Sequence, residues 1–242
     1  MFKFIPNRVA LIVLISACSI IFISMGLRQT FGLFFEAFEN GLGVTRTEFG
    51  LAIGIQMLFW GIFAPIFGFL ADKFGGSKAV LIGFIIFGLG IFTLYAGPNT
   101  GIYFQISLGV LVGTALGATA IGVPVSEVGK HFPNETRTLA TGYVTAAASV
   151  GYFLSPLFTQ YSLGGVGWEQ TLKYFMYFII FGLITSFFLL PSKTIINSSQ
   201  ADRDQTFISA IKEAFAHKGY VLLVLGLSLI HIWRCRRSRG WC

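Results

Sequence analysis

Long apolar stretches separated by short polar connections account for most of the chain. The stretches cover residues 9–35, 47–70, 78–96, 101–126, 138–161 and 172–190, and a seventh begins near residue 219. A helix needs about 20 predominantly apolar residues to cross the hydrocarbon core of a bilayer, and each of the six is close to that length. The pattern therefore predicts an all-α integral membrane protein with a six-transmembrane-helix bundle and the start of a seventh helix.

Polar residues are unevenly distributed among the six spans. In the fifth span they recur three or four residues apart, at Thr138, Thr141, Thr145, Ser149, Tyr152 and Ser155. Gln56 and Trp60 lie one turn apart in the second span and Gln105 lies in the fourth, whereas the third and sixth are almost entirely apolar. Because polar groups within a bilayer face other helices or water, spans 1, 2, 4 and 5 are predicted to surround a polar cavity. The alternative is that the hydroxyls only bond their own helix backbone.

A guanidinium interrupts the first span, in the stretch SMGLRQTFGLFF. The residues from Val9 to Leu27 would form about 28 Å of helix before Arg28. Ser24 and Gly32 lie one turn to either side on the same face, and a guanidinium binds a carboxylate through a planar two-pronged contact. Arg28 is therefore predicted to bind the negative group of a substrate, although an anchor at the outer interface is the alternative. The candidate substrate-binding residues are Arg28, Ser24, Gln56, Trp60, Gln105, Thr145 and Tyr152.

The composition changes after the sixth span. The bundle is assigned to residues 1–190, a cytoplasmic linker to 191–218 and a truncated start of helix 7 to 219–226. Residues 227–242, LSLIHIWRCRRSRGWC, closely resemble a translated transposon-end sequencing adapter and are predicted to be a non-native tail. A genuine basic tail is the alternative.

Composition and charge narrow the possible functions. Only 11% of the residues are charged, against roughly 25% in soluble domains. Without the tail the net charge falls from +7 to +3, and the only indication of nucleic-acid binding disappears. Two of the three cysteines also lie in the tail, so Cys18 alone remains and neither a disulfide framework nor a cysteine metal site is expected. No cofactor is predicted.

Basic residues predict the orientation of the chain. With a cytoplasmic N-terminus, ten lysines and arginines lie on the inner side and only Arg46 and Lys173 on the outer side. Cytoplasmic loops carry such an excess. We therefore expect a multi-pass protein of the bacterial inner (plasma) membrane with its N-terminus in the cytoplasm.

The titratable residues do not favour an enzyme. An intramembrane enzyme would need a nucleophile–base pair or a metal-ligand cluster within the spans. His131 and His217 lie at the inner surface, His231 lies in the tail, and the ten carboxylates lie outside the spans or at their ends, as Glu36 and Glu127 do. No catalytic residue and no metal ligand is predicted. Glu36 is the one candidate in these spans for a residue that binds and releases a coupling proton during transport.

The loop between the second and third spans carries a motif. In GFLADKFGGSK, Gly68, Asp72 and Gly75 fit the pattern G-x-x-x-D-[RK]-x-G, which resembles the signature of the major facilitator superfamily. In the signature a pair of basic residues usually follows the second glycine. Here glycine and serine take their places, and Lys78 comes next. Gly68 would allow two helices to pack closely, and Gly75 would allow a tight turn. The negative charge of Asp72 would attract the N-terminus of a helix. The resemblance implies that this helix belongs to the opposite half, so that Gly68, Asp72, Gly75 and Lys78 form a conformational gate.

Further stretches extend the resemblance over residues 1–226, about half of a twelve-helix member. The loop between helices 4 and 5 of the family is similar to KHFPNETRTLATG, and the turn before helix 6 is similar to GVGWEQ. The monocarboxylate-porter-like branch of the family is the one that GLRQTFGLF and TRTEFGLA resemble. Gln105 stands near the place of an arginine expected at the start of helix 4. Gly151 is followed by YFLSP instead of the antiporter pattern with its Gly-Pro pair, so an antiporter is not inferred.

The resemblance implies the N-terminal half of a secondary active transporter. We expect it to move a small organic solute, an organic anion such as a monocarboxylate, by alternating access between two six-helix halves. The expected partners are this solute, a coupling proton, the lipid bilayer and the missing C-terminal half. A non-transporting membrane receptor or assembly protein on the same fold is the alternative.

Overall fold

The computed structural model describes residues 5–97 and 100–189. The regular structure of these residues is helical, in six long segments: α1 Arg8–Leu42, α2 Arg46–Phe74, α3 Gly76–Ala96, α4 Gly101–His131, α5 Asn134–Val166 and α6 Trp168–Ser186. By length and composition, α1 to α4 could each cross a membrane. The predicted linker, the start of helix 7 and the tail lie outside the described residues.

Helix α1 continues well beyond Arg28, as its sequence predicted. It begins where Asn7 Oδ1 accepts a hydrogen bond from the backbone N–H of Ala10, at 2.7 Å. A short 3₁₀ stretch, Phe31–Phe34, tightens the helix, which then resumes and ends at Gly43 in the left-handed conformation, with φ 68°. At 1.5 Å per residue, about 30 Å of helix precedes Arg28 and about 21 Å follows it. The guanidinium is thus far from both ends of α1.

Both ends of α2 follow local sequence signals. Thr45 followed by Glu48 three residues later predicts a capping box, and the structure contains it: Glu48 N–H donates to Thr45 Oγ1 at 3.3 Å, and Thr45 N–H donates to Glu48 Oε2 at 2.9 Å. These two bonds satisfy backbone and side-chain groups at the exposed start of the helix. At the other end, Gly75 has φ 95°, a conformation that favours glycine, so the predicted tight turn is also confirmed.

Helix α4 is the irregular member of the bundle. After one α-helical turn it widens into a π-helical stretch, Gln105–Leu111, and returns to α-helix over Val112–Thr119. The chain bends at Ala120 before the helix resumes over Gly122–His131. Such irregularities leave backbone carbonyls without their usual helical donors, and in a membrane other groups must satisfy them.

Glycines hold α4 against α2. Gly109, Gly113 and Gly117 follow one another at four-residue intervals on one face of α4. A Cβ at Gly113 would lie 2.7 Å from the carbonyl oxygen of Gln56, and a Cβ at Gly117 would lie 3.0 Å from the backbone nitrogen of Ala64. Small residues at this spacing let two membrane helices approach closely, so packing between their backbones stabilises the pair.

Helix α5 packs on α1 in the same way. A Cβ at Gly26 would collide with Ser155 Oγ, and a Cβ at Gly151 would lie 2.5 Å from the carbonyl oxygen of Phe22. The bundle is therefore built around two tight helix pairs, α1 with α5 and α2 with α4. Helix α3 contacts α4 and α6, which in turn contacts α1.

Large apolar side chains cover much of the bundle surface. They form exposed stripes on α3 and α6, at Ile82, Ile85, Leu89, Phe92, Tyr177, Ile180, Phe181 and Ile184. The third and sixth spans are almost entirely apolar in sequence, so stripes of this kind fit helices that face lipid. However, α2 and α5 also expose large apolar side chains, such as Leu58 and Phe153. Apolar and polar surfaces are therefore less clearly divided among the helices than the sequence suggested.

Candidate functional site

Arg28 lies between α1 and α2. Its side chain is half-buried, and its Nη2 donates a hydrogen bond to Met57 Sδ at 3.4 Å. The guanidinium carbon is 5.0 Å from the ring centroid of Trp60. A cation over an aromatic face at this distance is stabilised by about 0.5–1 kcal/mol at exposed sites and more when desolvated. Met57 and Trp60 are one turn apart on α2 and hold the guanidinium from one side.

The charge of Arg28 has no ionic partner among the described residues. In the described residues no carboxylate pairs with Arg28, and its Nε atom is buried without a hydrogen-bond partner. Buried or partly buried charges normally have an ionic partner and satisfied hydrogen bonds. An anionic group that reached this guanidinium would supply both.

Ser24 and Gln56 occupy buried contacts between helices and do not line an open surface. Ser24 Oγ lies 2.9 Å from the carbonyl oxygen of Ile20 and 2.8 Å from that of Thr119, at the bend of α4. Gln56 Nε2 donates to the carbonyl oxygen of Leu108 at 3.2 Å, within the π-helical stretch. These two residues, which the sequence assigned to substrate binding, thus satisfy carbonyls at the two irregular points of α4.

The remaining predicted substrate contacts lie on other helices. Thr145 is exposed and Tyr152 half-buried on α5, and Gln105 is half-buried in the π-helical stretch. Thr145 Oγ1 donates to the carbonyl oxygen of Thr141 at 3.0 Å, as the alternative interpretation of this polar stripe expected. Of the seven predicted residues, the structure brings Arg28 and Trp60 into direct contact.

A paired charge cluster lies where α2, α3 and α4 meet. Lys130 Nζ is 3.0 Å from Asp72 Oδ1 and 2.9 Å from Glu127 Oε1. The side chain of Asp72 is 70% exposed, whereas that of Glu127 is only 1% exposed. Lys130 therefore links an exposed carboxylate on α2 to a buried carboxylate on α4.

The buried position of Glu127 was not anticipated, because the sequence placed this residue at the end of a span. Gly76 explains the burial: a Cβ there would lie 2.6 Å from Glu127 Oε1, so only glycine leaves room for the carboxylate. The spacing of Glu127 and Lys130, three residues apart on a helix, was the available signal for their ion pair. No pattern in the sequence indicated that Met57 would contact Arg28.

The other gate residues differ in their surroundings. Lys78 is exposed at the start of α3. A Cβ at Gly68 would meet no atom within 4 Å, so in the described residues the close packing predicted for Gly68 is not found. Gly75 makes the turn that brings α3 back beside α2.

Two further features concern coupling and metals. Glu36 is exposed and lines a wide cavity of about 610 Å³ near the C-terminal end of α1, together with Gln160 and Trp168. Among the described residues, no group of three or more histidine, cysteine, aspartate or glutamate side chains could hold a metal ion.

Sequence comparison identifies a family profile and several relatives. The profile of the Major Facilitator Superfamily matches residues 17–233. "Probable nitrate transporter NarT" of Staphylococcus haemolyticus is 27% identical over 164 residues, which are 67% of this chain and 41% of that protein. "Quinolone resistance protein NorA" of Staphylococcus aureus is 27% identical over 194 residues, which are 78% of this chain and 48% of that protein.

A fungal relative and a solved structure extend the comparison. "MFS transporter asaE" of Aspergillus flavus is 27% identical over 180 residues, 72% of this chain and 40% of that protein. The chain therefore spans less than half the length of these three relatives. The crystal structure of an auto-inhibited POT family peptide transporter superposes with a TM-score of 0.60 at 17% identity, over 76% of this chain and 37% of that one. This last likeness concerns the fold alone.

Proposed function

We propose that this chain, which belongs to the Major Facilitator Superfamily, forms the first six-helix half of a secondary active transporter that moves a small organic anion such as a monocarboxylate. The second half would complete a site between two bundles, and rocking of the bundles would expose that site to each side of the membrane in turn. In this proposal α1 to α6 all cross the bacterial inner membrane and the N-terminus lies in the cytoplasm. The branch of the family would be the monocarboxylate-porter-like one.

The guanidinium of Arg28, which pairs with no carboxylate in the described part of the chain, carries the proposal of an anionic substrate. Lysine or arginine held in a bilayer is costly unless it serves an ion or substrate pathway or reaches the interface. Met57 and Trp60 hold the guanidinium on one side, and its buried Nε remains without a partner. A carboxylate could accept from Nε and one terminal nitrogen at once, which is the preferred geometry of an arginine–carboxylate pair. The relative named as a probable nitrate transporter also has an anion in its name, which favours this substrate class.

The charge cluster at the end of α2 would act as the inner gate. We propose that Asp72 alternates between Lys130 of this half and a helix N-terminus of the second half. Asp72 is exposed and held by one ion pair at 3.0 Å, so exchange of this partner would cost little. Gly75 shapes the turn, while Gly68 and Lys78 would contact the second half because they have open space or solvent around them here.

Uptake into proteoliposomes tests the proposed function. The complete transporter, with its second half, would be reconstituted and supplied with labelled lactate, pyruvate and nitrate, and with the neutral solute myo-inositol. We expect saturable uptake of lactate or pyruvate and no saturable uptake of myo-inositol, whereas uptake of nitrate alone would restrict the substrate to an inorganic anion. Residues 1–226 alone should give no saturable uptake, because half of the site is absent.

Two outcomes would contradict the proposal. Saturable uptake of myo-inositol with none of the anions would rule out the substrate class. Saturable binding of an anion by the complete protein without any uptake would favour the alternative, a non-transporting receptor on the same fold.

A further inference from the structure

A separate cavity lies between α1, α5 and α6. Its volume is about 120 Å³, and four phenylalanines contribute to its lining: Phe22, Phe158, Phe175 and Phe178. Leu27 also lines it, while the neighbouring residue Arg28 contacts α2. Neither Met57 nor Trp60, the two residues that hold the guanidinium, takes part. The cavity is therefore distinct from the proposed anion site.

One residue of this lining carries a buried hydroxyl. Thr159 lines the cavity, is 0% exposed, and its Oγ1 atom has no hydrogen-bond partner in the part of the chain that the structure describes. Other threonines of α5 behave differently, because Thr141 and Thr145 donate to carbonyls of their own helix at 3.1 and 3.0 Å. Burying a hydroxyl without a hydrogen bond is unfavourable, so a buried unpaired group of this kind points to a missing partner.

Water and a lipid chain both fit the cavity poorly. A buried water molecule needs two to four polar partners, and the polar side chains lining this cavity are Thr159 and Ser155. Ser155 is also packed against Gly26 of α1. A lipid acyl chain would fill the apolar space, but its methylene groups could not bond the hydroxyl of Thr159. The occupant that satisfies both features is apolar over most of its surface and carries one polar atom.

We propose that this cavity binds a neutral molecule with one aromatic ring and a single hydroxyl or carbonyl oxygen. An apolar cavity of about 150 Å³ accommodates benzene, and this cavity of about 120 Å³ is smaller, so it has room for one aromatic ring at most. The ring packs edge-to-face among the phenylalanines, an arrangement that aromatic groups favour. Its oxygen exchanges a hydrogen bond with Thr159 Oγ1. Leu154 and Phe158 are 44% and 38% exposed, so the molecule enters from the surface of the bundle.

Fluorine NMR on the purified 242-residue chain in detergent tests this site. The probes are 4-fluorophenol, which carries the required hydroxyl, and fluorobenzene, which does not. We expect both to bind saturably, with 4-fluorophenol the tighter of the two. Thr159→Val preserves the shape of the side chain and removes its hydroxyl, so it should weaken 4-fluorophenol binding about fivefold and leave fluorobenzene unchanged. Thr141→Val is the matched control and should change neither affinity.

A second variant tests the location independently of the hydroxyl. Leu154→Trp places a larger side chain at the exposed edge of the cavity, where folding is least affected, and should abolish binding of both probes. Gel filtration of every variant checks that the bundle remains folded. The proposal is overturned if wild type binds neither probe saturably, if Thr159→Val binds 4-fluorophenol as tightly as wild type, or if Leu154→Trp retains binding. Displacement of fluorobenzene by decane together with an unaffected Thr159→Val would identify an acyl-chain site instead.

Discussion

The two charged regions of the bundle differ in how their charges are balanced. At the meeting point of α2, α3 and α4, Lys130 is held by two carboxylates, one exposed and one buried. Between α1 and α2, Arg28 has a thioether and an aromatic ring as neighbours but no carboxylate in the described residues. In the described residues Lys130 therefore has ionic partners, although Glu127 Oε2 is buried without a hydrogen-bond partner, whereas Arg28 has no ionic partner.

This difference separates structural charges from charges available for binding. Removing one member of a buried ion pair leaves the other uncompensated and is destabilising. Removing an unpaired charge instead relieves a desolvation cost, so it should affect function more than folding. Sites that bind ligands often reduce stability in this way. The predictions below test whether the two regions respond in opposite directions.

Glu127→Gln should produce the larger loss of stability. The substitution preserves the shape of the side chain beside Gly76 but removes the buried negative charge that faces Lys130 at 2.9 Å. We expect a loss of about 1–3 kcal/mol, measured as a lower thermal unfolding temperature in detergent. Glu39→Gln, at an exposed position on α1, is the control and should have little effect. Equal effects of the two substitutions would show that the buried pair does not stabilise the bundle.

Arg28→Met should leave the stability of the bundle unchanged or raise it. Methionine has a similar length and no polar hydrogen, so it removes the unpaired Nε while keeping contact with Met57 and Trp60. The lost cation–π interaction offsets part of this gain. We expect unchanged stability or an increase of up to about 1 kcal/mol in the same thermal assay. A loss as large as that of Glu127→Gln would mean that Arg28 is a structural charge.

Asp72→Asn should have the smallest effect on stability. Its side chain is 70% exposed, and exposed ion pairs contribute about 0–1 kcal/mol. In the complete transporter the substitution should instead raise the reactivity of cysteines introduced on the inner side, because the proposed gate opens more readily. Unchanged thermal stability together with unchanged cysteine reactivity and uptake would exclude a gating role for Asp72.

The sequence predicted those parts of the fold that depend on local signals. The length of the apolar stretches indicated the helices. The pair Thr45 and Glu48 indicated the start of α2, and Gly75 indicated the turn after it. The continuation of α1 beyond Arg28 followed from the apolar residues after it. These features depend on residues close together in the chain, which is why a single sequence is sufficient to predict them.

The roles of individual polar residues were harder to predict, because they depend on irregular backbone. Ser24 and Gln56 looked like substrate contacts, but they bond carbonyls at the bend and the π-helical stretch of α4. Apolar periodicity does not reveal a π-helical stretch in advance, so the unsatisfied carbonyls were not foreseen. The burial of Glu127 likewise depends on Gly76, a residue distant in sequence.

The effect of Arg28 on anion uptake tests the central claim most directly. In the complete transporter, the initial rate of anion uptake would be measured against concentration for wild type, Arg28→Lys and Arg28→Gln, at matched membrane abundance. Hydrogen bonds to charged groups are worth about 1.5–3 kcal/mol, so Arg28→Gln should lower kcat/KM by about 10- to 100-fold. The kcat/KM of Arg28→Lys should lie between those of Arg28→Gln and wild type, because lysine keeps the charge but loses the two-pronged geometry. Wild-type kcat/KM in Arg28→Gln would show that Arg28 is an interfacial anchor and that the anion binds elsewhere.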